Sequence, residues 1–118
     1  MADQNETVSG SYTLAVSANH SASVGSNRSI SVGGDQSLDV RRNRYESVAA
    51  QQTLTVGKAL RMTAGDEISF VVGDASLTLK KDGTITIKGR NITIESSGTV
   101  NIKAAADVVI KGSKILQN

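Results

Sequence analysis

The chain lacks the residue types that build most compact domains. Its 118 residues include no cysteine, no proline and no tryptophan, and only one phenylalanine and two tyrosines. Aromatic side chains usually supply much of a globular core, so their scarcity argues against a spherical domain. The absence of cysteine excludes disulfides and thiol chemistry. Proline cannot donate to a β-ladder, so its absence suits a chain whose backbone N–H groups are mostly paired.

Long apolar runs and strong charge are also absent. No segment approaches the roughly 18 apolar residues of a membrane span, and residues 1–9 lack the apolar region of a signal peptide. The formal net charge of +2 is too small to indicate nucleic acid, and no nucleic-acid-binding motif accompanies it. We therefore expect no nucleic-acid partner. The sequence predicts a polar lead-in over residues 1–5, followed by one repetitive domain over residues 6–118.

The dominant feature of the sequence is an eight-residue repeat. Every eighth residue from Val8 to Val72 is valine, with Ala64 as the single exception. A second, mostly apolar column lies two residues earlier, and a small residue or glycine usually follows each valine. Residues i and i+2 share one face of a strand but lie on opposite sides of a helix. Each octad therefore predicts a short strand ending in a bend, where glycine permits a positive φ or close packing.

After Val72 the apolar pairs continue with altered spacing. They lie seven or eight residues apart and are separated by turn-like dipeptides such as Asp82-Gly83 and Ser97-Gly98. We expect the second residue of each pair to join a column that points inward as an axial core, and the residue two positions earlier to share that face. The predicted axial core is Val8, Val16, Val24, Val32, Val40, Val48, Val56, Val72, Leu79, Ile87, Ile94, Ile102 and Ile110.

The length of the repeat restricts the architecture. Eight extended residues span about 26 Å, which suits one side of a triangular prism rather than a full turn. A monomeric solenoid with three octads per turn satisfies this, and so do three chains wound about one axis. A monomer should often show a modulation at every third octad, which the sequence lacks. The equivalence of the octads favours an all-β, homotrimeric, intertwined triple-stranded β-helix of about fifteen rungs, one per apolar pair.

One octad interrupts the apolar pattern. Glu46 falls on the inward column two residues before Val48. Three inward carboxylates in a trimer would repel one another unless they were protonated, hydrated or bound to an ion. We therefore expect Tyr45, or a local bend, to take the inward place.

Several segments together carry a family resemblance. They are the Val-Gly octads, a Gly-Asp-Glu-Ile sequence and the later Ile-Thr-Ile and Val-Asn-Ile runs. Together they resemble the C-terminal needle of VgrG spike proteins of bacterial type VI secretion. They also resemble the related β-helical spikes of contractile-tailed phages. The segments are Ser23-Val24-Gly25, Ser31-Val32-Gly33, Thr55-Val56-Gly57 and residues 65–68, 82–89, 92–94 and 100–104.

The resemblance implies a structural needle that helps to puncture the envelope of a target cell. Such needles are homotrimers that contact the tail-tube protein through N-terminal domains absent from this chain. They carry effector proteins and touch the target membrane transiently. The spike would be assembled in the bacterial cytoplasm and then secreted or injected. The alternatives are a phage or tailocin tail-spike needle, and a binding shaft of an adhesin or tail fibre.

The resemblance also bears on the tip of the needle. Some phage spikes hold an apical metal ion with a His-x-His motif, whereas this chain has one histidine, His20, far from its last residues. We therefore predict no metal site. The resemblance instead implies a separate PAAR-repeat tip protein, and the alternative for the same residues is a frayed terminus. The predicted docking residues are Lys114, Ile115, Leu116, Gln117 and Asn118.

Catalytic signatures are missing from the sequence. The serines, the aspartates and His20 form no nucleophile elbow and no metal-ligand spacing. A rigid rod also lacks the concave pocket that an active site needs. We therefore expect no enzymatic activity and no cofactor.

Overall fold

The computed structural model describes residues 3–118. Met1 and Ala2, which belong to the predicted lead-in, lie outside the described residues. All regular secondary structure in the described part of the chain is β, which confirms the predicted class. The chain divides into two units, the first ending at Gln51 and the second formed by Gln52–Asn118.

The first unit is a series of straight segments separated by bends. Bends occupy residues 9–10, 17–18, 25–26, 33–34, 41–42 and 49–50, and six residues without a bend separate each from the next. The bends recur every eight residues, and each one directly follows a valine of the column, from Val8 to Val48. This confirms the predicted bend at the end of each octad. Over residues 3–51 no strand pairs form within the chain.

The second unit begins with the same pattern and then forms a sheet. Bends follow Val56 and Ala64 at residues 57–58 and 65–66. Strands β1 (Glu67–Val72), β2 (Ala75–Lys80) and β3 (Ile85–Lys88) then build one antiparallel sheet in the order β1-β2-β3. Bends resume at residues 90–91, 97–98, 105–106 and 113.

The register of the sheet separates apolar from polar side chains. Phe70 lies opposite Leu77, which lies opposite Ile87. Residues directly opposite one another share a face, and alternate residues along a strand return to that face. The apolar face consists of Ile68, Phe70, Val72, Ala75, Leu77, Leu79, Ile85 and Ile87. The other face is mostly polar and consists of Glu67, Ser69, Val71, Ser76, Thr78, Lys80, Thr86 and Lys88.

The first turn of the sheet is a two-residue loop. Val72 pairs with Ala75, so that Gly73 and Asp74 form the loop between β1 and β2. Gly73 has a φ of +54°, whereas Asp74 has no positive φ. A glycine at the first loop position is typical of a type II′ turn, whose twist matches that of the flanking strands.

The second turn is a three-residue loop closed by hydrogen bonds. The Gly83 N–H donates to the Lys80 carbonyl at 3.0 Å, and the Lys80 N–H donates to the Thr84 carbonyl at 3.0 Å. Gly83 has a φ of +91°. A turn followed by a left-handed glycine is the usual form of a three-residue hairpin loop. The Asp82 side chain adds an acceptor for the Thr84 N–H at 3.0 Å.

The sheet differs from the arrangement that the sequence predicts. The apolar pairs of residues 70–87 predict a continuation of the octad winding, with each strand paired to other chains. Instead, β1, β2 and β3 pair antiparallel within one chain. The two glycine turns reverse the chain direction, because their positive φ angles allow tight hairpins that the octad bends do not make.

The glycines of the octad bends also differ from the expectation. Gly25, Gly33, Gly57 and Gly65 do not have a positive φ. A Cβ atom added at any of these four positions would meet no atom of the chain within 4 Å. The first alternative, a positive φ at these bends, is therefore wrong, and the chain itself provides no close packing there. Close packing against another chain stays a prediction.

Candidate functional site

The octad bends shield the valine column in part. The seven valines from Val8 to Val56 are 44–52% exposed, whereas the large apolar residues two positions earlier, from Leu14 to Met62, are 59–68% exposed. Since the valine directly precedes the bend, we attribute this difference to the corner. Both columns nevertheless leave large apolar areas open, because no other part of the described chain covers them. The inward orientation of this column stays a prediction.

The last column residues sit at a different point of their repeats. Ile94, Ile102 and Ile110 lie three residues before the bends that begin at residues 97, 105 and 113. In the octads this position belongs to the second column, as for Leu14 before the bend at 17–18. These isoleucines therefore occupy the place of the second column rather than that of the valines. Positions one and three residues before a bend share a face of an extended segment, and the inward orientation of that face stays a prediction.

The sheet places three predicted axial residues on one face. Val72, Leu79 and Ile87 come from β1, β2 and β3, and all lie on the apolar face. Val72 is 81% exposed and Ile87 is 62% exposed, so the chain leaves this face uncovered. A shallow groove of about 440 Å³ runs along it and is lined by Phe70, Leu77 and Ile87, with Ile92 beyond the sheet.

The sequence prediction omits two members of this face. Ile68 and Ala75 belong to no apolar pair in the eight-residue pattern, yet their register places them beside the predicted core residues. Ile68 faces Leu79 across the strands. The alternation Ile68, Phe70, Val72 was the signal for a strand of six residues rather than a single octad pair.

Glu46 keeps its place on the face of the valine column. The Arg44 Nη2 and Glu46 Oε2 atoms lie 3.6 Å apart, as i and i+2 side chains on one face of an extended segment can. Bends occur only at 41–42 and 49–50 around this segment, so the predicted extra bend is absent. Tyr45 stands between the two charged residues and is 89% exposed. Its position between i and i+2 puts it on the opposite face of the segment from Arg44 and Glu46. Which of Tyr45 and Glu46 takes the inward place stays a prediction.

The predicted tip-docking residues lie beyond the last bend. Lys114 to Asn118 follow the bend at residue 113 and form no strand. The apolar side chains of Ile115 and Leu116 are 63% and 81% exposed. Their docking role stays a prediction.

The described residues offer no constellation for metal binding. Within residues 3–118, no three histidine, cysteine, aspartate or glutamate side chains are placed to hold a metal ion together. His20 belongs to a straight segment of the first unit and is exposed. Among the described residues, no helix is long and apolar enough to cross a membrane.

The exposure of the whole chain is the main physical feature of the site. The chain exposes 13167 Å², and none of its described residues is buried. A folded monomer of this 12.3 kDa mass exposes about 6,100 Å². A chain that leaves twice this area open buries too little apolar surface to offset its conformational entropy. The apolar columns and the apolar face of the sheet therefore require protein partners.

The comparisons with known proteins indicate what those partners are. The family model of the bacteriophage T4 gp5 C-terminal trimerisation domain matches residues 1–70, more than half of the chain. No curated protein gives a significant match. A trimerisation domain brings three copies of a chain together, and such an assembly agrees with the open surface of the single chain. The chain therefore belongs to the family of the bacteriophage T4 gp5 C-terminal trimerisation domain and forms a homotrimer.

Proposed function

We propose that three copies of the chain intertwine into a triple-stranded β-helix that serves as the needle of a puncturing spike. The observation that carries this proposal is the eight-residue alternation of straight segments and bends, without strand pairing within the chain over residues 3–66. Extended backbone whose polar groups lack a ladder needs strand partners. Winding three equivalent chains about one axis supplies those partners on both sides of every segment.

The dimensions of the repeat fit a narrow prism. Six extended residues span about 20 Å, and a bend then turns the chain to the next side. Successive layers in such a prism lie about 4.8 Å apart. The valine at each corner and the apolar residue two positions earlier would point into the prism, while the intervening residues face solvent.

A puncturing role follows from the mechanics of this architecture. A rod that is driven through an envelope must resist unfolding under load, and forced unfolding is governed by the unfolding rate. In an intertwined trimer no chain can separate without breaking ladders to two others. The interchain topology therefore makes unfolding slow, and it makes folding slow as well.

The spike of a type VI secretion system is the proposed setting. The segments of residues 82–104 that resemble VgrG needles support it, and the match to a phage trimerisation domain makes a phage tail spike the second candidate. In either machine the spike would be assembled in the bacterial cytoplasm and delivered by sheath contraction. We propose a purely structural role, with no enzymatic activity, and effector proteins carried by the spike.

A corner substitution tests the needle in its own machine. Val32→Asp puts three carboxylates inside the prism, where desolvation disfavours their charge, whereas Ser31→Asp puts the same groups on the outer face. In bacteria that carry the complete spike, we expect Val32→Asp to abolish delivery into target cells and Ser31→Asp to retain it. The measurements are target-cell killing, spike level and sheath contraction.

The same experiment identifies the machine and exposes a wrong assignment. Release of the spike into the medium by living cells, only when the sheath contracts, indicates type VI secretion. Recovery of the spike in virus particles after lysis indicates a phage tail. Normal delivery by Val32→Asp, at equal spike level, would overturn the needle proposal.

A tip protein on residues 114–118 is the last part of the proposal. The exposed Ile115 and Leu116 side chains provide apolar contacts, and three copies would present six of them on one platform. Deletion of Ser113–Asn118 should remove binding to a cognate PAAR-repeat protein while the trimer mass, about three times 12.3 kDa, is kept. Unchanged affinity would contradict docking at these residues.

A further inference from the structure

The octads alone do not define how three chains align. Consecutive units have the same length, and a valine stands directly before each bend from 9–10 to 57–58, with Ala64 in that place before the bend at 65–66. A chain displaced by one octad along its neighbours still brings valine beside valine, and it loses contacts only at the two ends. Repetitive strands therefore specify their register weakly. Apart from the octad of Glu46, which interrupts the apolar column, the octads distinguish only weakly between chains at the same level and chains displaced by one octad.

The antiparallel sheet occurs once and breaks this equivalence. It interrupts the bends between residues 66 and 90 and presents eight apolar side chains on one face. A chain displaced by one octad would place this face beside an octad of its neighbours rather than beside another sheet. The apolar face would then be partly open to water, at a cost of about 25 cal/mol for each Å² exposed.

The occupant of the apolar face is indicated by its connection to the trimerisation domain. The match to that domain extends to residue 70, which lies inside β1. Ile68 and Phe70 therefore belong both to the trimerisation domain and to the apolar face. The partner that covers the octads is a further copy of this chain, and the same copy continues directly onto the sheet.

We propose that the apolar face of Glu67–Lys88 is a register lock, in which three copies of the face pack together and hold the three chains level. This inference rests on the homotrimer and not on the puncturing role. Trimer formation is measured separately by light scattering, so a failure of the lock is distinguishable from a failure of the proposed function.

Thiol labelling tests whether a second copy covers the face. Leu77 and Thr78 are neighbours on β2, both half-buried in the single chain, and they point to opposite faces. The chain has no cysteine of its own, so Leu77→Cys and Thr78→Cys each provide one unique thiol. In the folded trimer, we expect maleimide to react with the Leu77→Cys variant at least about tenfold more slowly than with the Thr78→Cys variant, because labelling requires local opening.

Equal labelling rates in variants of trimer mass would show that the face is open and would overturn the proposal. If Leu77→Cys does not assemble, Ile87→Cys and Lys88→Cys on β3 give the same comparison across the two faces. In that pair too, slow labelling on the apolar side supports the lock and equal labelling excludes it.

Distances between equivalent residues test the register itself. A spin label on Lys58→Cys, in the bend at residues 57–58, reports one interchain distance when three chains are level. We expect a single narrow distance in the otherwise unchanged chain. Adding Phe70→Ser and Leu77→Ser should produce further distances from displaced chains. Adding Val71→Ser and Thr78→Ser, on the opposite face, should leave the single distance.

The outcomes of the distance measurement separate the alternatives. A single distance in the Phe70→Ser, Leu77→Ser trimer would show that the register is set elsewhere, and would overturn the proposal. If that variant loses trimer mass, Leu77→Ala replaces it, and the same two results decide. A second label on Ser97→Cys, beyond the sheet, must give the same answer, because a displaced chain is displaced on both sides of the lock.

Discussion

The octads and the sheet are built from similar residues, but they differ in whether the backbone pairs with strands of the same chain. Both alternate Val, Ile or Leu with polar side chains. Over residues 3–66 no strands pair within the chain, whereas Glu67–Lys88 forms a complete three-stranded ladder. The apolar pattern therefore decides which face is buried, but it does not decide whether the partner strand belongs to the same chain.

Two similar corners show what makes the difference. Val56-Gly57 and Val72-Gly73 both place a glycine directly after a column valine. Gly57 does not have a positive φ, and the chain continues into the next straight segment. Gly73 has a φ of +54°, and the chain reverses into β2. The left-handed conformation at one residue thus converts an octad corner into a hairpin.

The largest expected effect comes from breaking the octad period. Deleting residues 27–30 leaves two column valines four residues apart, so that every later corner is displaced by half a unit. We expect complete loss of the trimer. Deleting residues 25–32 joins Val24 directly to Gly33 and keeps the period, so we expect the trimer to persist. The measurement is mass by light scattering.

An eight-residue deletion in the sheet should have a different effect from the eight-residue deletion in the octads. Removing residues 73–80 also takes away eight residues, but it deletes β2 and its pairing with β1 and β3. We expect this variant either to form no trimer or to form a trimer in which the three chains are displaced along one another. This should occur although the deletion removes one whole eight-residue unit. Equal tolerance of both eight-residue deletions would show that the sheet is only another pair of octads.

A smaller effect is expected from a single apolar side chain of the sheet. Phe70 and Val71 are neighbours on β1 that point to opposite faces. If three copies cover the apolar face, Phe70→Ala should lower the free energy of unfolding by about 3 kcal/mol per chain. Val71→Ala should change it by no more than about 0.5 kcal/mol. Urea denaturation measures both, and similar values for the two would contradict a covered face.

The glycine comparison predicts a further difference between the regions. Gly73→Ala forces a side chain into the left-handed region, so we expect a loss of about 1–2 kcal/mol per chain. Gly57→Ala meets no atom of its own chain within 4 Å and should be neutral or stabilising by about 0.5 kcal/mol. Thermal unfolding of both variants measures the difference. A large loss at Gly57 would show that a neighbouring chain packs closely against the octad corner.

The sequence predicted the repeat well because its period has a direct structural counterpart. Each column valine from Val8 to Val56 precedes a bend, and each i, i+2 apolar pair in the sheet shares a face. The two hairpins were not predicted. The Asp82-Gly83 turn was recognised from the sequence, but a hairpin requires the strands on both sides of it to pair. Alternating apolar residues around Asp-Gly are a strong hairpin signal, and the surrounding octad period obscured it.

The exposed face of the single chain could not be assigned from the pattern alone. An octad column that faces a partner chain and one that faces a distant part of the same chain have the same sequence signature. What distinguishes them is the total exposed area of 13167 Å² together with the match to a trimerisation domain. The face of Glu46 could not be predicted from its polarity either. It follows from the position of Glu46 in the straight segment between the bends at 41–42 and 49–50.

The smallest expected effect concerns pH and the second turn of the sheet. The hydrogen bond from the Thr84 N–H lowers the pKa of the Asp82 carboxyl below its ordinary value, because it favours the charged form. The turn is therefore stabilised above the ordinary pKa of aspartate, and this contribution is lost as the pH falls through the lowered pKa of the folded state. Asp82→Asn keeps an oxygen acceptor but does not titrate. Acid should therefore weaken the protection of the Thr84 amide from hydrogen exchange in the unchanged chain. In the Asp82→Asn variant we expect this protection to stay the same. The same acid dependence in both proteins would show that another carboxylate, and not Asp82, controls this turn.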